Sequence, residues 1–144
     1  RGEKGVLVIF VSATCPFSAA YSDRIEKLAK DYKAQGINLV GINSNASESV
    51  EEVKQYAAIN KFNFTVLKDK GNKIADLLNA RVTPEAYLLD ANLKLVYHGR
   101  VDNSRNIEMV KTSELRDALD SLLEGKPVSR ARTLAFGCKI DRAS

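Results

Sequence analysis

The chain has 144 residues and a mass of 15.9 kDa, the size of one ordinary domain, which leaves no room for two full cores. Its 44% hydrophobic and 28% charged residues give the balance of a soluble globular protein and exclude disordered, collagen-like and disulfide-dense classes. The formal net charge of +4 lies wholly in residues 126–144, where Lys126, Arg130, Arg132, Lys139 and Arg142 outnumber Asp141, so the 17 basic and 17 acidic side chains of residues 1–125 cancel.

A neutral body with a basic end lacks the charged face of a nucleic-acid-binding domain, so no nucleic-acid partner is expected. No apolar run approaches the ~20 residues of a membrane span. Residues 1–125 therefore read as one domain and residues 126–144 as a basic, solvated tail. A chain that opens at Arg1, almost directly on a strand, reads as trimmed of an upstream segment and of any targeting peptide. An extracytoplasmic bacterial setting is preferred, with a cytoplasmic one left open.

In chain order, Val6 to Val11 is a continuous β-branched and aromatic run, as in a central strand buried on both faces. Phe17, Tyr21, Ile25, Leu28 and Tyr32 then recur at helical spacing, with Gly36 as a stop. Ile37 to Asn43 reads as a second buried strand. Ser49 with Glu52 three residues later opens a helix carrying Val50, Val53 and Ala57. A short strand at Phe64 to Leu67 and a brief helix from Asn72 to Asn79 follow. Ala86 to Asp90 and the alternating segment from Leu93 read as a hairpin turned at Ala91-Asn92. The last helix places Leu115, Ala118, Leu119, Leu122 and Leu123 on one stripe, opened by Thr112 or Ser113 and closed by Gly125 and Pro127. The order βαβα(β)αββα predicts an α/β domain.

Cys15 stands where the first strand ends and the first helix begins. Backbone N–H groups at a helix N-terminus stabilise a thiolate, and Pro16 fits the first helical turn, where its missing N–H costs nothing. A buried structural cysteine is the alternative. Val82-Thr83-Pro84, directly before a strand, is a second landmark, because a proline there suits a strand entry or a cis turn.

The segments Thr14-Cys15-Pro16-Phe17-Ser18, Gly41-Ile42-Asn43-Ser44-Asn45, Thr83-Pro84-Glu85-Ala86-Tyr87-Leu88-Leu89-Asp90, Tyr97-His98-Gly99-Arg100-Val101-Asp102 and Gly137-Cys138-Lys139-Ile140, in that order, resemble the redoxin (AhpC/TSA-type) branch of the thioredoxin-like superfamily, in particular its peroxiredoxin-like proteins. The resemblance implies a three-layer α/β/α fold with a mixed central sheet, an N-terminal hairpin upstream of Val6, and a cis Pro84 facing Cys15. Ser18 occupies the second position of the thioredoxin C-x-x-C motif and cannot form a disulfide. The peroxiredoxin pattern P-x-x-x-T-x-x-C places its cysteine at Ser18 as well, and shifting it to Cys15 puts Ser12 at the Thr but Val8 at the Pro.

The implied activity is thiol–disulfide exchange with Cys15 as nucleophile, a disulfide or peroxide as substrate, and a thiol as electron donor. A peroxidase passing through a Cys15 sulfenic acid is the second reading, and a redox-inactive peptide-binding module the third. Cys138, the only other cysteine, is the candidate resolving thiol. A reversible Cys15–Cys138 bond would stabilise the fold by roughly 4–5 kcal/mol in the chain-entropy model, and an unpaired tail thiol is the alternative. Ser18, Thr83 and Pro84 are candidate supporting residues, together with Glu85 and Asp102 as proton acceptors near the sulfur and Arg81 as a thiolate partner. Arg81 and Arg100 read otherwise as surface charge. The single histidine, His98, falls on the less buried face of an edge strand. No cofactor is called for, and two distant cysteines with one histidine do not make a metal site.

Overall fold

The computed structural model describes residues 4–140. The expectation about the upstream hairpin, Arg1 itself, and the last charges Asp141 and Arg142 lie outside the described residues. Five strands form a mixed sheet in the order β3-β2-β1-β5-β6, where β1 is Gly5–Phe10, β2 Ile37–Asn43, β3 Thr65–Lys68, β5 Glu85–Asp90 and β6 Leu95–Gly99. β1 runs parallel to β2 and antiparallel to β5, so the central strand is flanked on both sides, as its unbroken apolar run requires.

The period of two along these strands separates two cores. Leu7 and Ile9 of β1 join Leu39, Ala86, Leu88 and Tyr97 on one face, and Phe10 joins Ile42 and Tyr87 on the other. Helix α1 (Pro16–Lys33) and helix α4 (Glu114–Leu123) cover the first face, with Tyr56 of α2 (Val50–Ile59) in the same core. Helix α3 (Lys73–Leu78) lies on the second face through Ala75. No helix among the described residues is long and apolar enough to cross a membrane.

Local chemistry sets the element ends. In α2, Ser49 Oγ accepts the Glu52 N–H while the Glu52 carboxylate accepts the Ser49 N–H, a reciprocal cap visible in the sequence. The short helix is found where the sequence places it, trimmed by one residue at each end because Asn72 and Asn79 cap it at φ 58°, and a 3-10 turn over Lys70–Asn72 precedes it. The buried Asp69 carboxylate satisfies the free N–H groups of Ile74 and Ala75 at its start. The hairpin turn is longer than two residues. Asp90 accepts the N–H groups of Asn92 and Lys94, Leu93 takes φ 63°, and β6 starts only at Leu95.

The largest departure from the sequence reading is the C-terminal segment, which is not a solvated tail. From Ala131 to Ile140 it returns along the open edge of β6 and ends in a two-stranded pair, β4 (Val82–Thr83) with β7 (Cys138–Lys139). His98 N–H donates to Ala131 O at 2.9 Å and His98 O accepts from Thr133 N–H at 3.0 Å. Thr133 Oγ1 meets Tyr97 OH at 2.7 Å and accepts the Arg100 N–H at 2.9 Å. Ala135 and Ile140 are buried, and Phe136 packs edge-on against Phe17. The segment therefore seals a sheet edge and adds apolar burial to both cores.

Candidate functional site

Cys15 is the N-cap of α1, with extended backbone (φ −86°, ψ 122°), and Pro16 opens the first turn. The Ser18 N–H points at Cys15 Sγ from 3.4 Å, and Ser18 Oγ in turn accepts the Ser12 N–H at 3.0 Å. The second position of the former C-x-x-C frame is thus a fully buried hydroxyl that braces the loop. Cys15 is joined to Cys138 by a disulfide, with Cα atoms 5.9 Å apart and a sequence separation of 123.

Three features bring these two cysteines together. Thr83 pairs with Cys138 across the β4–β7 ladder, the Thr83 carbonyl oxygen lies 3.6 Å from Cys15 Sγ, and the Thr83–Pro84 peptide is cis. Gly137 allows the close approach. A Cβ there would stand 1.9 Å from the Thr83 carbonyl oxygen, and its φ of 153° disfavours any other residue.

Glu85 does not face the sulfur. It is 1% exposed, and its Oε1 accepts the N–H groups of Arg81 and Val82 at 2.7 and 3.1 Å, which fixes the start of the segment that carries Thr83 and Pro84. Its Oε2 lies 2.5 Å from His98 Nε2, and His98 stacks on Tyr87. Burial alone would raise the Glu85 pKa, but the two backbone donors and His98 hold it below the usual carboxylate value. His98 does lie on the less apolar face of β6, yet the returning C-terminal segment and Tyr87 cover that face. Asp102 is likewise committed elsewhere, accepting Tyr21 OH at 2.7 Å and pairing with Arg24 of α1 at 2.8 Å. Arg100 is not a loose surface charge. It holds the buried Glu114 at the start of α4 through Nη2 at 2.5 Å and Nε at 3.1 Å. Arg81 is exposed and makes no ion pair among the described residues.

The buried carboxylate that holds the Cys15 loop escaped the sequence reading. Glu48, 2% exposed in the loop before α2, accepts Ser12 Oγ–H at 2.6 Å, Ala13 N–H at 2.7 Å and Thr14 Oγ1–H at 2.9 Å. The amides of Asn43 and Asn45 add donors at 2.8 and 2.7 Å. Burial by itself would raise the Glu48 pKa, but these donors outweigh it and hold the carboxyl at about 2. Glu48 is therefore a positioning residue for the loop that delivers Cys15. The sequence signal was weak, since one glutamate among Ser47, Ser49, Glu51 and Glu52 looks like ordinary first-turn charge.

A cysteine at the N-cap of a helix that follows a central strand, faced by a cis-proline loop, is the arrangement of a thioredoxin-like fold. A profile of the AhpC/TSA family matches residues 1–98. The chain belongs to the AhpC/TSA family. Cys15 falls inside the matched stretch and Cys138 beyond it. Among curated proteins, this AhpC/TSA chain is 28% identical over 93 residues to thiol-disulfide oxidoreductase ResA of Halalkalibacterium halodurans, covering 65% of this chain and 52% of ResA. It is 33% identical over 100 residues to the chloroplastic peroxiredoxin Q of Sedum lineare, covering 63% of this chain and 50% of that protein. It thus spans about half the length of the curated relatives it matches. Among solved structures, an uncharacterized conserved protein from Geobacillus kaustophilus superposes with a TM-score of 0.91 at 32% identity, covering 99% of this chain and 79% of that one.

Proposed function

We propose that this AhpC/TSA protein is a thiol–disulfide oxidoreductase whose working pair is Cys15 and Cys138. The observation that carries this reading is the bond between a helix-capping cysteine and a cysteine held opposite it by the Thr83-Pro84 loop.

In the reduced protein, the N-terminus of α1 and the Ser18 N–H face Cys15 Sγ and stabilise negative charge there. That thiolate attacks one sulfur of a substrate disulfide. A Cys15–substrate mixed disulfide forms and the first substrate thiolate leaves. Cys138, as thiolate, then attacks Cys15 Sγ, forming the Cys15–Cys138 bond and expelling the second substrate thiolate. Two electrons pass to the substrate, and a donor thiol restores the pair. Ser18 cannot perform the second step, so the resolving sulfur comes from the C-terminal segment instead of from the next helical turn. A durable pair of this kind suits an oxidising compartment outside the cytoplasm.

The test compares wild type, Cys15→Ser and Cys138→Ser, each fully reduced and freed of reductant. Each is mixed separately with an aromatic disulfide and with hydrogen peroxide. The reading expects rapid release of two aromatic thiols per chain by wild type, slow release of at most one by Cys15→Ser through its remaining Cys138, and a trapped mixed disulfide on Cys15 in Cys138→Ser. Consumption of peroxide alone would replace it with the peroxidase reading, and no reaction with either would replace it with the peptide-binding one.

A further inference from the structure

The oxidised site is asymmetric. Cys15 is 3% exposed, whereas Cys138 is only partly buried. An incoming thiolate attacks the sulfur it can reach and expels the better-stabilised thiolate. Both criteria select Cys138 for attack and Cys15, held by the Ser18 N–H at the start of α1, as the leaving group.

Among the described residues, the free charge beside Cys138 is basic. Val82–Lys139 is the rung beside Thr83–Cys138, and Arg81 O accepts the Ile140 N–H at 2.8 Å, so Arg81 and Lys139 flank the reactive rung. Arg81, Gly137, Lys139 and Ile140 border an open cavity of about 550 Å³. Arg81 also borders a second cavity, of about 330 Å³, together with Arg130, Arg132, Glu85 and His98. Arg81, Arg132 and Lys139 are exposed and form no ion pair among the described residues, while Arg130 leans on Glu114 at 3.3 Å. The two carboxylates nearby are engaged. Glu85 serves two backbone N–H groups, Tyr87 and His98, and Glu114 serves Arg100 and Arg130. The basic charge of Arg81, Arg132 and Lys139 is thus gathered at two cavities that share Arg81, along the edge that carries Cys138. It lines concave walls of small-molecule size, not a broad flat face.

We propose that the electron donor to the Cys15–Cys138 disulfide is a small thiol bearing carboxylates, drawn to Cys138 by Arg81, Arg132 and Lys139; this rests on the redox reading above. The donor thiolate attacks Cys138 Sγ, forming a donor–Cys138 disulfide and releasing Cys15 as thiolate. A second donor thiolate attacks the donor sulfur of that bond, giving the donor disulfide and releasing the Cys138 thiolate. Two donor thiols lose two electrons, and the protein disulfide gains them.

The experiment measures second-order reduction of the oxidised full chain by mercaptosuccinate, 2-mercaptoethanol and cysteamine. Each rate is divided by the same thiol's rate on an uncharged reference disulfide. At low ionic strength the normalised rate for mercaptosuccinate is expected to exceed that for 2-mercaptoethanol by on the order of tenfold, with cysteamine slowest, and the three converge at about 0.5 M salt. Arg81→Gln with Arg132→Gln and Lys139→Gln brings the ratio close to one. Arg132→Gln alone lowers it partly and serves if the triple variant melts early. Lys94→Gln, in the turn at the opposite end of the sheet, keeps the ratio. Alkylation quench and peptide mapping place the first adduct on Cys138. Equal normalised rates, a preference that survives the triple variant, or an adduct on Cys15 would overturn the proposal and leave the redox reading standing. A disulfide that none of the three thiols reduces would overturn the redox reading itself.

Discussion

Glu48→Gln isolates the carboxylate that holds the Cys15 loop. The Glu48 side chain receives five donors between 2.6 and 2.9 Å, from Ser12, Ala13, Thr14, Asn43 and Asn45. A glutamine of the same shape turns an NH2 group towards some of those donors and removes the charge. The folded-state pKa of about 2 lies below the ordinary value of 4.5, so the stabilisation is complete above pH 4.5 and is lost as pH falls towards 2. A depression of that size corresponds to about 3 kcal/mol, with more than half of it gone by pH 3. Urea unfolding of both proteins with the disulfide intact, at pH 7 and pH 3, measures the difference. Other carboxylates titrate in the same window but cancel in the comparison. A penalty below about 0.5 kcal/mol at pH 7, typical of a surface site, or one unchanged at pH 3, would refute the role assigned to Glu48.

Other expectations follow from the same geometry. Cys138→Ser removes a link across 123 positions and should lower stability by roughly 5 kcal/mol relative to the oxidised protein; an unchanged thermal midpoint would show that the bond does not constrain the unfolded chain. Gly137→Ala drives a Cβ into the Thr83 carbonyl, and strain of about 1–3 kcal/mol should lower the equilibrium constant for disulfide formation about tenfold against a dithiothreitol redox buffer. An unaltered equilibrium would contradict the close approach. Glu114→Gln breaks the Arg100 pair, which with lesser donors holds the Glu114 carboxyl at about 2 against the cost of burial. Its folded pKa is also depressed, so the loss, about 3 kcal/mol, should be full at neutral pH and fade as pH falls from 4.5 towards 2 in thermal melts.

Periodicity carried most of the fold. The unbroken run Val6 to Val11 marks a strand buried on both faces, and the Tyr21, Ile25, Leu28 and Tyr32 stripe marks the helix that covers it. Cys15 at their junction was legible because strand end and helix start are both local signals. The C-terminal segment was not. Thr133, Ala135, Phe136 and Ile140 as a set follow neither a period of two nor one of 3.6, and Thr133, Phe136 and Ile140 each pack on a different partner distant in sequence. That blind spot also hides the cover of His98, whose face alternation gives correctly but which residues 131–133 and Tyr87 enclose. Glu85 and Asp102 were assigned to the sulfur because chain topology brings their strand ends near it. Side-chain direction, invisible in sequence, sends them instead to the Arg81 and Val82 backbone and to Arg24. Glu48 shows the converse, a residue with no local signature whose role depends on five donors from the β1–α1 loop and from the end of β2 and the residues just after it.

The central claim is that Cys15 and Cys138 are one redox couple. Its most direct measurement is a single turnover in which reduced protein meets one equivalent of a small aromatic disulfide, followed by acid quench and non-reducing peptide mapping. The account predicts one intramolecular Cys15–Cys138 peptide for each disulfide consumed, with two aromatic thiols released. Disulfide consumption that leaves Cys138 as a free thiol, or that links only separate chains, would contradict it.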